Sequence, residues 1–176
     1  MPHALPPGPL VIGLPGPRLT PADRGLLLEP AIGGVILFER NFEDAAQLAA
    51  LCADIHALRE PRLLIAVDQE GGRVQRLKPG FTVLPPAAAY GRAHDRDAAL
   101  GLALARAGGL VMAAELTALG VDLSFAPVLD LDYGVSDIIG ARAFHADAAT
   151  AAALAGAFMA GMGEAGMAAC GKHFPG

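Results

Sequence analysis

Cysteine is scarce in this chain: Cys52 and Cys170 are its only two among 176 residues, and no CxxC spacing joins them. That excludes a disulfide framework, and their apolar, patterned surroundings predict buried thiols in a reducing compartment. Charge is scarce as well, at 18% of residues, with 13 Lys+Arg against 18 Asp+Glu for a formal net charge of −5. An acidic balance without a Lys/Arg cluster argues against nucleic acid and anionic membrane as main partners. No basic segment followed by an apolar stretch opens the chain, so no secretory signal is visible. Long apolar runs are missing too: the stretch 97–120 is broken by Arg106 and Glu115, and the one after Asp147 is mostly Ala and Gly. Internal repeats, low-complexity tracts and interdomain linkers are absent. The expectation is a soluble cytoplasmic chain.

What is there is apolar patterning. Hydrophobic residues make up 53% of the chain, which excludes intrinsic disorder. Five short runs, 10–14, 34–38, 63–67, 123–129 and 167–173, are rich in Val, Ile, Leu or Ala and lack polar alternation. Strands buried on both faces of a parallel sheet have that character. Four helical patterns alternate with them. The first opens with Thr20-Pro21-Ala22-Asp23, a capping box with Pro at the first helical position. The second, 43–58, repeats Leu48, Leu51, Cys52, Ile55 and Leu58 at helical spacing. The third, within 97–120, sets Leu100, Leu104, Ala107, Val111 and Ala114 on one face. The fourth starts near Asp147 and carries Leu154, Phe158 and Met162 at i, i+4 and i+8.

This alternation predicts an α/β fold with a parallel sheet and crossover helices. Two architectures fit: an open doubly wound sheet of five strands, and a (β/α)8 barrel, which takes ~250 residues. The chain stops at Phe174-Pro175-Gly176, just after its fifth strand and without a helix to cover it. The expectation is therefore an incomplete TIM barrel, with 1–176 the N-terminal portion of a single domain, its strand edges and apolar face exposed. The long connection 71–92, with Pro79-Gly80 and Pro85-Pro86, reads as a functional loop.

Parallel α/β folds bind ligands at the carboxyl ends of their strands. The third run is followed by Asp68, Glu70, Gly71, Gly72, Arg73 and Arg76; the fourth by Asp130, Asp132 and, further on, Arg142; the fifth ends in Lys172-His173. Each has a bland role. Asp68 suits a turn cap, and Glu70, Arg73 and Arg76 suit a solvated ion-pair cluster. Gly71-Gly72 is a weak phosphate loop without the fuller Gly/Lys/Ser pattern. Asp130 and Asp132, at i and i+2, would share one side of a strand and could meet Mg²⁺, with turn roles favoured. Lys172 could be a Schiff-base amine, as in a lyase, or a donor to a polar ligand. His173 is the one histidine at a strand end; His3, His56, His94 and His145 are assigned nothing. Together, these groups on one face point to a ligand site.

Four segments, GGVILF at 33–38, AVDQEGGRVQRL at 66–77, FAPVLD at 125–130 and GKHFPG at 171–176, closely resemble glycoside hydrolase family 3. The match is to its single-domain bacterial branch, the β-N-acetylglucosaminidases (β-hexosaminidases) of peptidoglycan recycling, and it runs in order through essentially the whole chain. The resemblance implies that Asp68, Arg76, Arg142, Lys172 and His173 hold a non-reducing N-acetylglucosamine. It implies retaining hydrolysis of muropeptide-type fragments without metal or organic cofactor. It also implies that no catalytic residue lies within this chain, the nucleophilic Asp and the His/Asp acid-base being expected beyond Gly176. His173 is then a sugar ligand and not the acid-base, Asp68 a sugar ligand and not the nucleophile, and the 176 residues alone are inactive. A non-catalytic, truncated sugar-binding protein is the alternative.

Overall fold

The computed structural model describes residues 8–174, so the tail that carries His3 and the Pro175-Gly176 end of the last motif lie outside the described residues. The chain runs through β1 (Leu10–Gly13), α1 (Pro21–Leu27), β2 (Ile32–Leu37), α2 (Ala45–His56) and β3 (Leu64–Val67). A short hairpin follows, β4 (Gln69–Gly71) and β5 (Val74–Gln75), then two consecutive helices, α3 (Ala87–Arg96) and α4 (Ala98–Thr117). After them come β6 (Leu123–Ser124), α5 (Ala148–Glu164) and β7 (Ala168–Ala169). Strands β1, β2, β3, β6 and β7 form one sheet in that spatial order, and every neighbouring pair is parallel. Each crossover therefore adds its strand to the same edge. A doubly wound sheet reverses direction at a switch point, whereas a (β/α)8 barrel advances strand by strand. The fold is α/β, an open part of a (β/α)8 barrel, as the sequence predicts.

Local chemistry sets the helix starts. Thr20 Oγ1 accepts from the Asp23 N–H at 3.1 Å while Asp23 Oδ2 accepts from the Thr20 N–H at 2.9 Å, closing the capping box. Asp44, Asp97 and Asp147 cap α2, α4 and α5 by accepting from the N–H groups of Gln47, Leu100 and Thr150. Leu48, Leu51, Cys52 and Ile55 of α2, and Leu154, Phe158 and Met162 of α5, are buried on the faces their spacing indicates. Burial, with a smaller push from Asp122, raises the Cys52 thiol to about 12. Cys170 is only half-buried, which corrects the expectation for that thiol.

Helix α4 buries a different face from the one its large residues suggest. Leu100 and Leu104 are exposed, and the buried stripe is Ala105, Gly108, Gly109, Met112, Ala113 and Leu116. The cause is close helix packing: a Cβ on Gly109 would stand 2.0 Å from the Phe158 carbonyl oxygen of α5, and one on Gly161 1.9 Å from the Arg106 carbonyl oxygen of α4. Small residues at the crossing let the two backbones approach, so glycine and alanine mark the packed face there. At 20 residues and a mean hydropathy of 1.5, α4 is long and apolar enough to cross a membrane by length and composition. Arg106 and Glu115 thus do not exclude a span, contrary to the expectation. Here both charges are engaged by the protein, Arg106 by Glu164 and Glu115 by Thr82 Oγ1 at 2.6 Å.

The connection 71–92 is not one long loop. It contains the tip of the β4–β5 hairpin, an extended stretch and the start of α3, which follows Pro86. Gly71 and Gly72 take φ values of 95° and 58°, and a Cβ on Gly72 would lie 2.7 Å from Pro86 Cβ, so the tip requires glycine. The Gly72 N–H donates to the Leu84 carbonyl at 2.9 Å and is not open to a phosphate. The fourth and fifth strands are also shorter than 123–129 and 167–173. Regular pairing stops at Ser124 and Ala169, just before Pro127, which has no N–H for the ladder. A single bridge then joins Val128 to Lys172. Cys170 and Lys172 donate to the Ala126 and Pro127 carbonyls at 2.9 and 3.1 Å, so the two strand ends stay side by side.

Candidate sugar-binding site

A cavity of about 480 Å³ opens at the carboxyl ends of β3, β6 and β7, and Asp68, Arg76, Arg142, Lys172 and His173 all line it. All five residues singled out in the sequence are brought to one place, with Glu70, Arg73, Val74 and Phe125 completing the wall. Asp68 sits one residue beyond β3, and Lys172 and His173 follow β7 at the Val128 bridge. Arg142 ends a 3-10 turn, Gly140–Arg142, in the long loop between β6 and α5. Its neighbour Phe144 fixes that turn by packing on Tyr90 of α3 and Phe158 of α5, at ring-centroid distances of 6.1 and 6.0 Å. Gly91 of α3 lets this segment come close, since a Cβ there would lie 2.1 Å from the Phe144 carbonyl oxygen. Helix α3, hidden from the sequence reading, thus positions a site arginine.

Glu70 on β4 is the residue that sequence reasoning undervalues. Its side chain is only 6% exposed and receives Arg142 as a fork, Nε to Oε2 and Nη2 to Oε1, both at 2.8 Å. Lys172 Nζ reaches Glu70 Oε1 at 2.6 Å and Asp68 Oδ1 at 2.7 Å. The expected solvated cluster of Glu70, Arg73 and Arg76 does not form. Arg73 donates instead to the Asp137 and Ile138 carbonyls. Arg76 keeps a buried Nε without a hydrogen-bond partner among the described residues. A signal for Glu70 existed: it stands two residues from Asp68, the spacing that drew attention to Asp130 and Asp132.

Burial by itself raises the Glu70 carboxyl, but hydrogen bonds and charge from Arg142 and Lys172 outweigh it and hold the group below the usual glutamate range. Arg142 is raised in turn, first by its hydrogen bond to Glu70. With the folded value lowered, the Glu70 pairing contributes fully above the unfolded glutamate pKa of about 4.3. It is lost only as pH falls through the lower folded value. A carbon-detected NMR titration of the Glu70 carboxyl is expected to give a midpoint below about 4.3; a midpoint at or above it contradicts the network.

Asp130 and Asp132 do not converge on a cation. Asp130 Oδ2 meets the His173 ring Nδ1 at 2.6 Å and accepts from its backbone N–H at 3.3 Å, whereas Asp132 Oδ1 accepts from the Gly134 N–H at 3.0 Å in a turn. With the Asp130 carboxylate accepting, Nδ1 carries a proton and Nε2 is left for a ligand. Among the described residues, no group of three or more His, Cys, Asp or Glu side chains could hold a metal ion. The motif glutamines serve the scaffold: Gln69 Nε2 donates to the Leu77 carbonyl and Gln75 Nε2 to the Thr82 carbonyl, each at 2.9 Å. Asp68, Glu70 and Asp130 are each engaged by a basic group. Carboxylates so paired suit holding a ligand of mixed donors and acceptors, such as sugar hydroxyls, through charge-assisted hydrogen bonds.

Comparison with known proteins gives this arrangement a context. Residues 12–176 match the model of the glycosyl hydrolase family 3 N terminal domain. The Beta-hexosaminidase of Thioalkalivibrio sulfidiphilus is 60% identical over 169 residues, covering 96% of this chain and 49% of its own length. That of Bordetella avium is 57% identical over 176 residues, covering 99% of this chain and 50% of its own length. Among solved structures, native NagZ from Neisseria gonorrhoeae superposes with a TM-score of 0.98 at 49% identity, over 100% of this chain and 52% of NagZ. NagZ of the same organism in complex with N-trifluoroacetyl-D-glucosamine gives 0.97 at 50% identity, over 98% of this chain and 51% of that one. The chain spans about half the length of the curated relatives it matches. A match that runs from Ile12 through all four motifs shows the family: this chain belongs to glycoside hydrolase family 3.

Proposed function

We propose that this chain is the sugar-holding, N-terminal part of a single-domain, retaining β-N-acetylglucosaminidase. Its substrate is the terminal, non-reducing, β-linked N-acetylglucosamine of peptidoglycan fragments (muropeptides), cleaved in the cytoplasm during cell-wall recycling. The observation that carries the reading is the convergence of Asp68, Arg76, Arg142, Lys172 and His173 on one cavity. The name Beta-hexosaminidase on the relatives and the N-trifluoroacetyl-D-glucosamine in the NagZ complex support it. In this reading Asp68 accepts from sugar hydroxyls, Arg76, Arg142 and Lys172 donate to them, and His173 contributes Nε2. The thiols of Cys52 and Cys170 are free, which favours a reducing compartment.

Retaining hydrolysis forms a covalent glycosyl intermediate on a carboxylate, and water then releases it with help from an acid-base group. Both groups are placed beyond Gly176, so the 176-residue chain is expected to bind N-acetylglucosamine without cleaving its glycosides. Incubation with a chromogenic N-acetyl-β-glucosaminide, beside a binding titration with the free sugar, tests this. Binding without release of chromophore supports the reading; release by the pure chain overturns the placement of the catalytic groups, and no binding overturns the site. The lyase alternative is disfavoured by Lys172 itself. An ammonium held by two carboxylates at 2.7 and 2.6 Å has no lone pair to offer a carbonyl.

A further inference from the structure

We propose that Glu70 is a positioning residue, which sets Arg142 and Lys172 side by side on the cavity wall without touching the ligand. The proposal rests on the cavity being the N-acetylglucosamine site. Both Glu70 oxygens are occupied from within the protein: Oε1 accepts from Arg142 Nη2 and Lys172 Nζ, and Oε2 from Arg142 Nε. Its side chain is buried, whereas Asp68, which shares Lys172, is more open to the cavity. The two cations come from opposite ends of α5 and belong to no strand or α-helix. They share one acceptor atom, so without the anion between them they would repel. Glu70 stands on a hairpin pinned by side-chain and backbone hydrogen bonds: Gln69 on Leu77, Gln75 on Thr82 and Leu84, and the Gly72 N–H on Leu84.

The division of Lys172 between two carboxylates gives Glu70 a second effect. While Glu70 draws the ammonium, Asp68 uses only Oδ1 on it, and Oδ2 has no partner among the described residues. Neutralising Glu70 would let Lys172 settle on Asp68 alone and close the acceptor that a sugar hydroxyl needs. It would also release the Arg142 fork, whose remaining contact is Nη1 to the Ile138 carbonyl at 3.2 Å. Glu70→Gln keeps shape and removes charge; Glu70→Asp keeps charge and withdraws it by one methylene.

The test uses the full chain, N-acetylglucosamine as the probe, and the arginine Nε–H region of a 15N NMR spectrum. Glu70→Gln is expected to weaken sugar binding by about tenfold to hundredfold at a temperature where the chain is still folded, its melting temperature lowered by the loss of the pairing with Arg142 and Lys172. The Arg142 Nε–H signal, protected in the parent, is expected to disappear into solvent exchange. Glu70→Asp recovers part of both, and serves if the glutamine variant does not fold. Unchanged binding and an unchanged Arg142 signal overturn the proposal, as does a loss of binding that only tracks a loss of fold. If the parent does not bind the sugar, the site reading fails. The Arg142 signal then decides the positioning role by itself, supporting it if lost in Glu70→Gln and overturning it if retained.

Discussion

Gly161→Ala is expected to lower the melting temperature, although alanine is the better helix former. The added Cβ would stand 1.9 Å from the Arg106 carbonyl oxygen and 2.8 Å from the Leu110 nitrogen, both backbone atoms of α4 that cannot rotate away. Overpacking costs about 1–3 kcal/mol and occasionally more, and a contact with fixed backbone belongs at the top of that range or above it. Helix propensity returns about 1 kcal/mol. The net loss of about 2 kcal/mol corresponds to roughly 4–8 °C for a chain of this size. Gly156→Ala on the same helix, where nothing lies within 4 Å, isolates the propensity and is expected to move the transition upward. Thermal unfolding of the two variants checks this. A shift of the same sign in both would refute the close α4–α5 crossing, and with it the packing through which Phe144 fixes Arg142.

Lys172→Met is expected to cost at least about 100-fold in N-acetylglucosamine binding, the equivalent of about 2.7 kcal/mol. The methionine fills much of the lysine's volume but leaves Asp68 and Glu70 without the ammonium that now joins them at 2.7 and 2.6 Å. Breaking a fully buried ion pair costs about 3–5 kcal/mol. The side chains here are 14%, 22% and 6% exposed for Lys172, Asp68 and Glu70, which discounts the figure. Lys172→Arg keeps the charge but replaces a compact ammonium by a planar fork, and is expected to restore only part of the affinity. Calorimetric titration measures all three proteins, and affinity within threefold of the parent for the methionine variant would remove Lys172 from the sugar's contacts.

Much of this molecule is legible in its sequence where one physical signal dominates. The segments 34–38 and 63–67, buried or half-buried throughout except at the exposed Leu64, supply β2 and β3 and read as unbroken apolar runs. The capping box at Thr20 and the Asp147 that opens α5 mark helix starts by chemistry that acts over three residues, whereas the start of α2 lies at its Asp44 cap and not at position 43. The five candidate residues come from the family resemblance, and they meet at one cavity. What escapes is set by tertiary contact. The packed face of α4 is made of residues chosen for smallness, so a search for large apolar spacing finds Leu100 and Leu104, which face outward. Helix α3 lies in a stretch whose prolines and glycines suggest loop, yet Pro86 there starts a helix instead of ending one. Glu70 looks like a surface charge until the fold brings Arg142 and Lys172 to it from 72 residues away and beyond.

In the proposed function the strand-end cavity holds N-acetylglucosamine through Asp68, Arg76, Arg142, Lys172 and His173. Titrating the isotopically labelled chain with the free sugar and following backbone and side-chain NMR signals tests this. Saturable shifts are expected at these five residues and at Glu70, with α1 and α2 left unmoved. No saturable shift, or shifts gathered away from the ends of β3, β6 and β7, would contradict the account.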